Sequence, residues 1–133
     1  MLCGVNGEIQ KDKEKIKDLL YRRNSMTVRE VFRDLIDKAH HTAKMNSFWD
    51  DEQNHGEQIA LMHSELSEAL EVLRKPDKKD KHLPHLNPVG LELADTIIRI
   101  LSYCGENNID LAQCLLEKMV YNSTRPYKHN SLF

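Results

Sequence analysis

The chain has 133 residues, 40% hydrophobic and 30% charged, with a formal net charge of −2. That length supports one domain with a real core, and the composition argues against disorder. The charge excludes broad electrostatic attraction to nucleic acid or to a membrane surface, and no apolar run approaches the length of a membrane span.

Residues 1–25 are expected to form an N-terminal extension, disordered or a short helix, because only Ile16, Leu19, Leu20 and Tyr21 make an apolar stripe there. These first residues do not read as a secretory h-region, and Cys3, Cys104 and Cys114 never form a CxxC pair. Reduced thiols in a cytoplasmic protein are the expectation, with Cys104 and Cys114 as small core residues.

The domain proper is expected over residues 26–133. Thr27-Val28-Arg29-Glu30 reads as a capping box, and Val28, Val31, Phe32, Leu35, Ile36, Ala39 and Ala43 keep helical spacing to about Lys44. Residues 46–56 break the pattern and hold the single Trp, Trp49. A second helix is predicted from about Gly56 to Leu73, with Ile59, Met62, Leu66, Ala69, Leu70 and Leu73 on its core face and Leu61 and Val72 widening it. At 100° per residue Glu65 falls inside that apolar arc and Glu68 at its edge. A carboxylate facing a core is costly unless protonated, paired or bound to metal.

After a charged loop with three prolines, Pro88 and Gly105 bracket a third helix that is apolar almost all round. Its one polar stripe is Glu92, Asp95, Arg99 and Ser102, so it should be central and should aim that stripe at something. A fourth helix starts near Asp110 and frays near Thr124-Arg125-Pro126. No segment reads as a strand. The fold class is therefore all-α, of the four-helix-bundle type.

Two acidic pairs carry the chemistry. Glu65/Glu68 and Glu92/Asp95 each place two carboxylates three residues apart on a helix, hence on one face. Any one such pair reads most simply as solvent-facing acid, with Arg99 pairing Asp95 one turn away. Two pairs on facing helices offer four carboxylates around one point, a donor set for a hard divalent cation and so for phosphate chemistry. Further cations, Lys118, Arg125 and Lys128, recur with Asn122 near the end of the fourth helix. They suit the helix C-terminal dipole or phosphate oxygens equally well. Trp49 reads as a core anchor or a surface for base stacking, His40 and His41 as helix-surface residues. The 75–81 charge run reads as a solvated loop, with a phosphate-contacting lid as the sharper alternative.

The segments LMHSELSEALE at 61–71, GLELADTII at 90–98 and EKMVYNSTRPYKH at 117–129 resemble the MazG-like nucleoside triphosphate pyrophosphohydrolases. The resemblance spans about residues 27–130. It implies an all-α, Mg²⁺-dependent enzyme, with Mn²⁺ as a substitute, that cuts the α–β phosphate bond of a nucleotide to release pyrophosphate. It further implies Glu65, Glu68, Glu92 and Asp95 as metal ligands, with Glu65 or Glu68 activating water. Lys118, Asn122, Arg125 and Lys128 would hold phosphate or sugar, and a homodimer or homotetramer would complete each site. Trp49 and His40 fall where the dCTP pyrophosphatase members of the family carry base-contacting residues. The chain departs from those members at Arg74-Lys75-Pro76, where they place an aromatic, and at Asn130, where a glycine is usual. A phosphoribosyl-ATP pyrophosphohydrolase shares the same carboxylate logic, and a non-catalytic helical interaction protein is the reading from another class.

Overall fold

Each helix among the described residues starts at a side chain able to cap it. Thr27 accepts from the Glu30 amide while Glu30 reaches back to the Thr27 amide, the reciprocal box expected from the sequence. Asn54, Asn87 and Asp110 cap the next three N-termini through their side-chain oxygens. The computed structural model describes residues 26–124 except 76 and 78. Its helices are α1 (Val28–Met45), α2 (His55–Arg74), α3 (Pro88–Glu106) and α4 (Leu111–Ser123). The architecture among the described residues is all-α, with no strand. The expected N-terminal extension lies outside them.

Helix α3 is the centre of the fold, as its nearly all-round apolar character predicted: α2 packs on one side, α1 on another, and α4 packs mainly on α1. The α1–α3 approach is close because Gly105 carries no side chain. A Cβ built there would lie 2.6 Å from His40 Cβ. Gly105 therefore does not end the helix, as its position in the sequence suggested. It sits inside α3, and Asn107 caps the C-terminus. The turn into α4 passes through Asn108 at φ 53°, a left-handed conformation that asparagine tolerates better than most residues.

The core corrects several expectations. Ala69, Leu101, Cys104 and Ala112 are the buried apolar residues, while Leu66, Leu70 and Leu73 of α2 are exposed at 45%, 50% and 63%. Cys114, expected inside, is exposed. The face that α2 turns toward α3 runs instead through Gln58, Glu65 and Ala69. The apolar arc of α2 is wider than one helix can cover, and α3 covers only the part of it that holds Glu65. Among the described residues no helix is long and apolar enough to cross a membrane.

Candidate functional site

Glu65 and Glu68 on α2 meet Glu92 on α3. One carboxylate oxygen from each lies within 4.8 Å of the others, with Glu65 buried, Glu92 half-buried and Glu68 exposed. Asp95, one turn beyond Glu92, is exposed and stands outside this group of three, yet within the reach of Glu65's charge. The structure thus brings together three of the four expected ligands, and leaves the fourth beside them.

Electrostatics mark this cluster as strained. The Glu92 carboxyl is pushed above the usual range, first by desolvation, then by the charges of Glu68, Asp95, Glu65 and Asp80. Asp95 is raised as well, by partial desolvation first and then by Glu65, with Arg99 pulling the other way. Oxygen-only donors suit a hard cation, and two in-line Mg–O bonds span roughly 4.2 Å. Three carboxylate oxygens within 4.8 Å of one another are a donor set of the chemistry a divalent metal takes, with Glu65 Oε1 shared with Arg99.

The only cation bonded to the cluster among the described residues is Arg99, whose Nε donates to Glu65 Oε1 at 2.5 Å. Sequence reasoning placed Arg99 beside Asp95 along its own helix. The structure sends it across to α2, because burial leaves Glu65 without water and a guanidinium compensates it. The Arg99 head also lies 5.9 Å from the centre of the Phe48 ring. Phe48 meets Trp49 edge-on at 5.2 Å, and Trp49 Nε1 donates to buried Ser102 Oγ at 2.9 Å. Every member of the polar stripe except Asp95 is therefore engaged: Glu92 in the cluster, Arg99 with Glu65, Ser102 with Trp49.

His40 is not a plain surface residue. It is half-buried against Gly105, its Nε2 lies 2.6 Å from Glu106 Oε2, and its ring meets Trp49 at 6.4 Å. Trp49 and His40 hence adjoin each other, with Phe48 and Arg99 between Trp49 and the acids. Lys118 and Asn122 lie exposed on α4, with the Lys118 ammonium 5.1 Å from the Tyr121 ring centre. Since α4 packs mainly on α1, these two are not set beside the acids within the single chain. Arg125 and Lys128 lie outside the described residues.

Sequence reasoning under-read the loop between α2 and α3. Asp80 accepts from the amides of His82 and Leu83, both at 2.7 Å, and these bonds hold its carboxyl below the usual range. The folded loop walls a cleft of about 310 Å³ with Lys79, Lys81 and His82, against Glu68 and Glu92 of the cluster. In sequence the charge run reads first as a solvated loop and only alternatively as a phosphate-contacting lid; the fold sets it against the acids. No protein-family model, curated protein or solved structure matches the chain.

Proposed function

We propose that the chain is a Mg²⁺-dependent nucleotide pyrophosphohydrolase that cleaves the α–β bond of (deoxy)nucleoside triphosphates to a monophosphate and pyrophosphate. The observation that carries this reading is the convergence of Glu65, Glu68 and Glu92 from two helices, with Glu92 and Asp95 reluctant to ionise. The resemblance of the two acidic segments to MazG-like enzymes supports the same chemistry. A bound divalent cation would supply charge neutralisation on phosphate oxygens and a lowered pKa for water.

The residues of the chain divide the remaining work. Glu65 is fixed by Arg99 and has the least freedom, so it orients the site. Glu68 is the exposed carboxylate of the three and takes the proton of the attacking water. Trp49 and His40, joined to the acids through Phe48 and Arg99, offer a flat edge where a base would stack. The extensive exposed apolar surface supports a homo-oligomer, in which a neighbouring copy would bring Lys118 and Asn122 to the acids.

The test is release of pyrophosphate against phosphate from a panel of dNTPs, NTPs and phosphoribosyl-ATP with Mg²⁺. The wild type should release pyrophosphate, with one nucleotide class preferred, and Glu68→Gln should lose at least about a hundredfold in rate while keeping its helical content. Silence of the wild type across the panel would leave a helical interaction protein.

A further inference from the structure

Two lysines elsewhere among the described residues close onto acids one turn away. Lys38 Nζ lies 2.6 Å from Asp34, and Lys75 Nζ 2.5 Å from Glu71. Lys79 and Lys81 behave differently. Both line the cleft that Glu68 and Glu92 also line, yet neither has an ion-pair partner among the described residues. Their sequence neighbour Asp80 also lines the cleft, and its Oδ1 accepts from the His82 and Leu83 amides rather than from either lysine. Those two bonds also fix the turn, so the lysines flank a held residue. The result is a cleft of about 310 Å³ lined by Glu68 and Glu92 of the helices and by Lys79, Asp80, Lys81 and His82 of the loop. That volume is at the small end of the range for small-molecule sites, roughly 300–1,000 Å³.

The geometry points to Lys79 and Lys81 as the binding site for the leaving end of the substrate, a metal-bound pyrophosphate or polyphosphate group. Such a ligand carries both kinds of charge: its cation faces Glu68 and Glu92, and its outer oxygens face the two lysines. A bare anion would meet the acids, and a bare cation the lysines, so the cleft selects the complex over either part. These are the lysines the single chain itself sets beside the acidic cluster, whereas Lys118 sits on a helix packed mainly elsewhere.

This inference rests on the proposed cation site, and its test is chosen so that the two fail separately. The full chain is titrated calorimetrically with magnesium imidodiphosphate, a pyrophosphate mimic that is not hydrolysed, and with Mg²⁺ alone. The wild type should bind the mimic, and the double variant K79A/K81A should bind it about tenfold more weakly or worse. K79R/K81R and, on another face, Lys38→Ala should stay near wild type. Mg²⁺ alone should bind K79A/K81A no less tightly, since losing two cations deepens the local negative potential. A wild type that ignores the mimic, or a folded K79A/K81A with wild-type affinity, overturns the inference. Binding through the lysines without pyrophosphate release from any nucleotide would keep this site and sink the hydrolase reading. Pyrophosphate release with equal KM in wild type and K79A/K81A would do the reverse.

Discussion

Glu92 carries a carboxyl that the fold itself makes costly to ionise. In the folded chain its carboxyl is raised by desolvation and by four neighbouring acids, so the native state keeps its proton to higher pH than the unfolded chain does. As pH rises from the ordinary carboxylate range through that raised value, the unfolded state ionises first and native stability falls. Asp95 acts in the same direction. Glu92→Gln should therefore raise the metal-free Tm at neutral pH by roughly 2–5 °C, with the gap shrinking as pH falls into the carboxylate range. The wild type should gain more from added Mg²⁺ than the variant does. Thermal melts of both proteins across pH, with and without Mg²⁺, check this; a destabilised variant would assign Glu92 to packing.

At the scale of the element, α3 is organised by what it lacks on one face and carries on another. Gly105 opens the space that His40 fills, which draws α1 against α3 and brings His40 to Glu106 and Trp49. Gly105→Ala would set a Cβ 2.6 Å from His40 Cβ, too close for any real contact. The helices must separate or His40 must move, at an expected cost of about 1–3 kcal/mol in urea unfolding. An unchanged midpoint would show that His40 swings away freely. The helix starts were legible in the sequence because capping is local chemistry: Thr27, Asn87 and Asp110 cap as side chains next to their own amides. Gly105 was misread for the same reason, since a close approach between α1 and α3 has no local signature.

For the molecule as a whole, the distribution of apolar surface decides. Among the described residues no large side chain is fully buried, and Leu70, Ile97, Met119 and Val120 are each at least half exposed. Leu66, Leu70 and Leu73 form one stripe on α2, and Leu93 and Ile97 another on α3, all at helical spacing. Four helices with so little shut away gain little from burial alone. A second copy of the chain covering these stripes is the expected remedy, and Leu70→Asp should then dissociate the assembly and lower its Tm together. Sedimentation equilibrium of both proteins tests it; a wild type that stays monomeric at high micromolar concentration would refute the assembly.

By itself the sequence determined the helices, the Thr27 cap, the polar stripe of α3 and the inward position of Glu65, because each follows from spacing along one helix. It also singled out the acids that converge, since i and i+3 on two amphipathic helices leave few ways to face each other. What only the tertiary structure decided were the contacts between elements: Arg99 crossing to Glu65 rather than Asp95, His40 seated on Gly105, and the loop that turns Lys79 and Lys81 over Glu68 and Glu92. It also decided that α2 buries only the part of its apolar arc that holds Glu65. Periodicity reports how wide a face is, whereas which part of it is covered depends on where the neighbouring helix lies.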